Sequence, residues 1–257
     1  MASSLIIVPL TGLPLIRPGD DLARLIVDAT KRLGIGIRND DVLVVGQKAV
    51  SKSEGRLVDI DKIRASKRAV QVARRTGKSG GFVEVVLRDA RKVVRADREA
   101  FIVRTKHGWT CLNGGADKSN VEGPVTYALL PEDPDASARR LRSRIRRLTG
   151  RSVGVIICDK HSRPFRRGQV EETIGIAGLN PMVDYRGQRD LFGYRLRFKN
   201  VAVADELAAA AELVMCQGRE AIPAAIIKGL KRVRFQERAR SSGLVVGEHE
   251  DLFRGAF

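Results

Sequence analysis

Two short stretches carry the residues that could do chemistry: Asn113-Gly-Gly-Ala-Asp-Lys-Ser-Asn120 and Cys158-Asp-Lys-His-Ser-Arg-Pro-Phe-Arg-Arg-Gly168. Each sets one carboxylate, Asp117 or Asp159, at the end of an apolar run and among turn-forming Gly, Ser and Asn. A carboxylate so placed can hold a hard cation, while nearby arginines and backbone N–H groups can hold phosphate oxygens. That is the minimum kit for metal-assisted chemistry on a nucleotide. Taken alone, each aspartate is equally a turn residue capping the next segment of chain, a role open to Asn120 as well. Lys52, in Val50-Ser-Lys-Ser-Glu-Gly-Arg56, and the Arg163/Arg166 pair raise the nucleotide reading above that one.

Other motifs do not carry comparable weight. Gly77-Lys78-Ser79 has the ending of a phosphate loop, but the first glycine of that motif would fall at Val72 and no strand leads in, so it reads as a surface turn. Gly34-Ile-Gly36 lacks a third glycine and reads as a helix stop. His107, His161 and His249 lack metal-ligand spacing, and only His161 lies near a candidate site. The cysteines, Cys111, Cys158 and Cys216, form no Cys-x-x-Cys pair, which argues against a disulfide framework or a zinc site.

The elements that must position these residues can be read from the apolar pattern. Asp20-Asp21 followed by Leu22, Leu25, Ile26 and Ala29 predicts a helix ending near Gly34. Val42 to Gly46 is a short buried strand, with Gln47 to Arg56 as the loop or helix entry beyond it. Phe82 to Leu87 and Val93-Val94 read as strands around a turn at Asp89. Phe101-Ile-Val and Trp109-Thr-Cys-Leu read as a hairpin over Lys106 to Gly108. After a loop over Pro131 to Pro134, Leu141, Ile145 and Leu148 give an amphipathic helix whose outer face is the arginine run 139–147. Val153 to Cys158 is the clearest core strand, with Asp159 at its C-terminal end, where open α/β sheets bind ligands. An alanine-rich helix is expected over Asp205 to Met215, then an apolar segment Ile222 to Ile227. The fold class is α/β, of mixed α+β kind, with mixed sheets flanked by helices. Residues 1–257 are treated as one domain, since no linker or repeat divides them.

Composition narrows the partners. The formal charge is +17, with a pI near 10.5. Such a field attracts polyanions or phosphorylated small molecules; an arginine-rich proteome would produce it as well, and both readings stand. No aromatic residues interleave the 139–147 run for base stacking, so it reads as solvated surface and nucleic acid is not an expected partner. No apolar run reaches the roughly 20 residues needed to cross a bilayer. The opening residues lack a basic leader and are broken by Pro9, Gly12 and Pro14, so a cytoplasmic location is expected.

Longer strings make a resemblance specific. Gly12-Leu-Pro-Leu-Ile-Arg-Pro-Gly-Asp-Asp-Leu22, the 50–56 and 113–121 segments, Asp159 with Arg163-Pro-Phe-Arg166, and Asp184-Tyr-Arg-Gly-Gln-Arg-Asp-Leu-Phe-Gly193 resemble one family in order along the chain. So do Ala204-Asp-Glu-Leu-Ala-Ala-Ala-Ala-Glu-Leu-Val-Met215 and the closing Asp251-Leu-Phe-Arg254. The family is that of the GTP-dependent coenzyme F420:L-glutamate ligases, or F420-0 gamma-glutamyl ligases. The resemblance implies an intertwined homodimer that adds L-glutamate to the lactyl carboxylate of an F420-0-type deazaflavin precursor. It implies GTP as cosubstrate and a divalent ion, Mg2+ or Mn2+, with K+ as an optional addition. It implies nucleotide contacts from Leu13, Pro14, Leu15, Ile16, Gln47, Lys48, Lys52 and Asn120, and from Met215, Cys216, Gln217, Gly218, Arg219, Glu220, Ala221 and Ile222. Asp117 and Asp159 match metal ligands and catalytic groups, Arg163 is a further catalytic candidate, and Gln217 matches a ligand to a second metal.

One departure matters. The family pattern after the strand resembles Ser-Asp-Thr-x-Gly-Arg, but this chain has Cys158-Asp-Lys-His-Ser-Arg163. Lys160 therefore stands where a hydroxyl would ligate the second metal, and a charged ammonium has no lone pair to offer. The second metal is lost, or Lys160 turns away, or its charge stands in for that cation beside the phosphates; the last is the favoured expectation. Two rivals remain: a basic nucleic-acid-binding protein acting through the 139–147 helix, and the same scaffold with a different acceptor.

Overall fold

The computed structural model describes residues 4–231, 235–247 and 249–252. Strand β1 (Ile6–Pro9) leads through a loop into α1 (Leu22–Arg32), where the Asp21 carboxylate accepts a hydrogen bond from the Arg24 N–H and so caps the first turn. Strand β2 (Val42–Gly46) passes directly into the short helix α2 (Gln47–Ser53). Next come β3 (Leu57–Asp59), α3 (Lys67–Thr76), α4 (Gly80–Asp89), and an antiparallel ribbon of β4 (Ala90–Ala96), β5 (Phe101–Thr105) and β6 (Thr110–Leu112). After these lie β7 (Thr126–Ala128), α5 (Pro134–Thr149) and the long hairpin β8 (Gly154–Ser162) with β9 (Gln169–Ala177). Strands β10 (Val183–Asp184) and β11 (Asn200–Val201) pair at the base of an arm, and α6 (Val203–Met215) and β12 (Ala224–Lys228) complete the order.

The central sheet has the order β1-β12-β2-β8-β9; only the β2–β8 pair is parallel, so the sheet is mixed. Its inner strands are apolar on both faces because helices cover both. Leu43, Val45, Val155 and Ile157 pack with Ile26, Leu141 and Ile145 of α1 and α5. Val42, Val44, Ile156 and Cys158 face the other way, onto Ala204, Leu207, Ala208 and Ala211 of α6. Small alanines let that helix approach the sheet closely. A third cluster, including Phe82, Val83, Val86, Phe101 and Val103, lies between α3, α4 and the β4–β6 ribbon. The described residues thus form a mixed α/β fold with six α-helices and several sheets.

Two expectations are corrected. Phe82 to Leu87 is helical, inside α4, and Asp89 is that helix's last residue instead of a turn between strands. Ser79 caps the helix by accepting from the Phe82 N–H, and Phe82, Val83 and Val86 recur at helical spacing on its buried side. A continuous apolar run shows no period by itself, so local capping decided the outcome. Second, β8 does not stop at Asp159. Pairing with β2 ends at Cys158, but β9 carries the strand on to Ser162. Gly77 ends α3 in a left-handed conformation just before the Ser79 cap, in keeping with a turn at Gly77-Lys-Ser79. Phe253 and Arg254, which close the last family-like string, lie outside the described residues. Among the described residues, no helix is long and apolar enough to cross a membrane.

The arm between β10 and β11 is held by local contacts. Arg186 chelates Asp184 through three guanidinium hydrogen bonds of 2.7–3.0 Å, and Asp190 accepts from the Phe192 and Tyr194 N–H groups. Its apolar side chains are bare, with Leu191, Phe192 and Phe198 at 98%, 95% and 88% exposed.

Candidate functional site

One end of the central sheet gathers the candidate residues. Pairing of Pro9 with Ala225, Ala224 with Val45, and Gly46 with Cys158 puts the last residues of β1 and β2, the first of β12 and the middle of β8 at a common edge. Backbone hydrogen bonds from Leu10 to Ala224 and from Gly46 to Pro223 lock it. From this edge lead the loop with Leu13–Ile16, helix α2 with Gln47–Lys52, the outer part of β8 with Asp159, and the 215–222 stretch.

The Asp117 loop reaches this edge from outside the sheet. Gly115 permits its path: it has φ 73°, and a Cβ there would stand 2.7 Å from Leu130 Cδ2. Asp117 bonds both ways with the Ala128 backbone, and its carboxylate accepts from the Ser119 N–H (2.7 Å), the Ser119 hydroxyl (2.9 Å) and Lys48 Nζ (3.0 Å). Burial pushes its carboxyl up, but the Ser119 N–H and the Lys48 ammonium outweigh it and hold the group below its ordinary value. One turn beyond Lys48, Lys52 donates to the Asn120 carbonyl (2.6 Å); burial and the Lys48 charge lower its affinity for its proton. Asn120 in turn donates to the carbonyls of Gln217 and Gly218.

The β8–β9 hairpin presents different groups on its two faces, because side chains alternate along a strand. On one face lie Asp159 and, opposite it, Glu172, with His161 beside both: Nδ1 is 2.8 Å from Glu172 and Nε2 3.8 Å from Asp159. Burial raises the Asp159 carboxyl to about 6; His161 and Lys48 pull it down only partly, and Asp117 pushes it up. Burial would lower His161, yet the bond to Glu172 and the charge of Asp159 lift it above its ordinary value. On the other face Lys160 stands opposite Glu171, and its ammonium is 2.9 Å from Glu212 of α6. Gln217 donates to both Glu171 (3.3 Å) and Glu212 (3.0 Å). Burial raises Glu171 to about 7.

The remaining candidates fall around this centre. Leu13 and Ile16 are buried in the core, while Pro14 and Leu15 are exposed. Gln47 is buried, accepting from the Ser51 hydroxyl through Oε1 while Nε2 finds no acceptor. Met215 packs under the sheet. Cys216 and Ala221 have positive φ angles of 58° and 53° and bracket an exposed loop in which Glu220 accepts from the Gly218 N–H; Arg219 is exposed and Ile222 half-buried. Arg163 and Arg166 sit at the hairpin turn; at ~3.3 Å per residue, the Arg163 backbone is about 13 Å along the strand from Asp159. Burial pushes the Cys111 thiol up to about 12 and raises Cys158 as well, which removes both as nucleophiles. Glu171, Glu172 and Glu212 were not singled out from sequence. Two adjacent acids inside an apolar strand were the available signal.

The donor set suits one divalent ion at Asp117 and Asp159. Asp159 is a largely buried carboxyl whose charge His161 and Lys48 offset only in part, and two carboxylates would leave the rest of a coordination shell to phosphate oxygens and water, as Mg2+ prefers. Among the described residues, no three His, Cys, Asp or Glu side chains are grouped so as to hold a metal by themselves. A second ion at Lys160 and Gln217 does not fit, since Gln217 turns its amide N–H groups to the carboxylates and Lys160 brings a positive charge. The arginine face of α5 is largely neutralised: Arg140 pairs with Glu54 (2.6 Å), Arg142 with Glu237 (2.6 Å) and Arg144 with Asp21 (2.7 Å).

Comparison with known proteins is concordant. Residues 12–229 match the family described as F420-0:Gamma-glutamyl ligase. The chain is 39% identical over 249 residues to the coenzyme F420:L-glutamate ligase of Methanothermobacter thermautotrophicus, spanning 97% of this chain and 98% of that one. The proteins of the same name from Methanopyrus kandleri and Archaeoglobus fulgidus are each 44% identical, over 241 and 224 residues, covering 93% and 87% of both chains.

Proposed function

Because the chain belongs to the F420-0:Gamma-glutamyl ligase family, we propose that it joins the amine of L-glutamate to the lactyl carboxylate of an F420-0-type deazaflavin precursor, with GTP as phosphoryl donor. The observation that carries this reading is the convergence of Asp117, Asp159, Lys48, Lys52, Asn120 and Gln217, from four separated stretches, at one end of the sheet. A free carboxylate resists attack by an amine, so amide formation needs a leaving group. Transfer of the γ-phosphoryl group to the precursor's carboxylate yields GDP and an acyl phosphate. The glutamate amine then attacks the acyl carbon, the acyl C–O bond to phosphate breaks, and inorganic phosphate leaves as the nitrogen gives up its proton.

The chain's own residues bind and orient. Lys48 and Lys52, four apart on α2, offer two ammonium groups to phosphate oxygens. Asn120 ties the Asp117 loop to the 215–222 loop, so both are held together beside the proposed nucleotide position. Arg163 and Arg166 are suited to grip a carboxylate or phosphate bidentately. When bound at Asp117 and Asp159, Mg2+ or Mn2+ supplies neutralisation of triphosphate charge. The exposed Leu191, Phe192 and Phe198 of the arm support a homodimer in which the arm packs on a second copy. The cytoplasm is the proposed location.

Mass spectrometry of purified chain incubated with GTP, glutamate, Mn2+ and the deazaflavin precursor tests the reading. The precursor should gain the mass of one or more glutamate residues, with GDP formed. GTP hydrolysis with no change in the precursor would refute it, and a GTP-dependent gain on some other carboxylate would instead favour the altered-acceptor reading.

A further inference from the structure

We propose that the Lys160 ammonium is a built-in cation that permanently occupies the pocket formed by Glu171, Glu212 and Gln217, limiting each subunit to one divalent ion. This deepens the ligase reading by setting its metal count. The pocket draws on three elements: Lys160 from β8, Glu171 opposite it on β9, and Glu212 from the last turns of α6, with Gln217 just beyond that helix. The Lys160 Nζ to Glu212 distance is 2.9 Å, with the two side chains only 26% and 17% exposed. The Gln217 amide spans both carboxylates. Glu171 is 4% exposed, and its Oε2 is buried without a donor.

Two carboxylates, one with an unmatched buried oxygen, around an amide oxygen able to rotate inward would suit a divalent ion if no ammonium were present. A lysine supplies positive charge there without a lone pair, so it repels a metal while satisfying Glu212. Asp159 lies on the opposite face of the hairpin, so the pocket is separate from the Asp117–Asp159 position.

The test is Mn2+ binding to the full chain by equilibrium dialysis and elemental analysis, with no GTP or acceptor present, for wild type and Lys160→Thr. Wild type should saturate at no more than one Mn2+ per subunit, and Lys160→Thr should bind one more. A wild-type count of two, or equal counts for the two proteins, would overturn the proposal. Should Lys160→Thr fail to fold by circular dichroism, Lys160→Gln carries the same expectation, and the wild-type count remains decisive without either. Because the count is read without turnover, a chain that adds no glutamate would defeat the ligase reading and leave this result intact.

Discussion

Replacing Glu171 with Gln should stabilise the metal-free protein at alkaline pH and leave it unchanged at acid pH. Burial moves this carboxyl from an ordinary 4.5 to about 7, so the folded chain holds the proton more tightly than the unfolded one. Its contribution to stability is therefore whole below pH 4.5 and is lost as the pH rises through 7. At about 1.4 kcal/mol per tenfold change in proton affinity, that displacement withholds about 3 kcal/mol of stability at about pH 8. Glutamine keeps the shape and an oxygen for the Gln217 amide, which lies 3.3 Å from Glu171, and leaves the Lys160–Glu212 pair balanced. Urea unfolding in the presence of a chelator, at about pH 5 and about pH 8, reads the effect. The two proteins should agree within about 1 kcal/mol at the lower pH, with the variant ahead by about 2–3 kcal/mol at the higher. An equal gap at both values, or a wild type that gains on the variant as pH rises, would refute the reasoning.

Other substitutions probe separate links. Asp117→Asn and Asp159→Asn should each lower glutamate addition about 10²–10³-fold while circular dichroism stays native, since each would weaken the hold on the divalent ion that neutralises the reacting phosphates. Gly175→Ala should cost about 1–3 kcal/mol in a urea titration, because its Cβ would stand 2.5 Å from the Pro134 carbonyl oxygen, where α5 crosses β9. Arg142→Lys should cost about 1–2 kcal/mol by the same assay: the guanidinium reaches the Val153 carbonyl and the Ser152 hydroxyl at 2.8 Å each, a fork no ammonium reproduces. Phe192→Asp should shift the mass found by light scattering from dimer to monomer, whereas an unchanged mass would remove the arm from the interface.

Much of this arrangement was legible beforehand, for identifiable reasons. Val42–Gly46 and Val153–Cys158 announce buried strands, because a sheet covered on both faces needs no polar alternation. Asp21 before Leu22 announces a helix start because a carboxylate there finds an N–H to accept from. Phe82–Leu87 misled because Val and Phe favour strands by propensity, while the Ser79 cap and the contacts to Phe101 and Val103 favour the helix. The convergence of Lys48 with Asp117 was not derivable from spacing; it entered only through the likeness of whole strings. Glu171 stayed hidden because its meaning depends on strand register: a slip of one residue in β9 would turn it to the other face, away from Lys160.

The bonds that build the sheet-edge site reach far along the chain: Lys48 to Asp117 spans 69 positions, Lys52 to Asn120 spans 68, and Asn120 to Gln217 spans 97. No short contiguous fragment holds more than a part of the machinery, and every part needs the long-range closures that are slowest to form. If the site takes GTP as proposed, that affinity is a property of the finished fold alone, and the nucleotide would stabilise only chains whose last loop has docked. A ribosome-bound nascent chain lacking residues 215–222 should be blind to it.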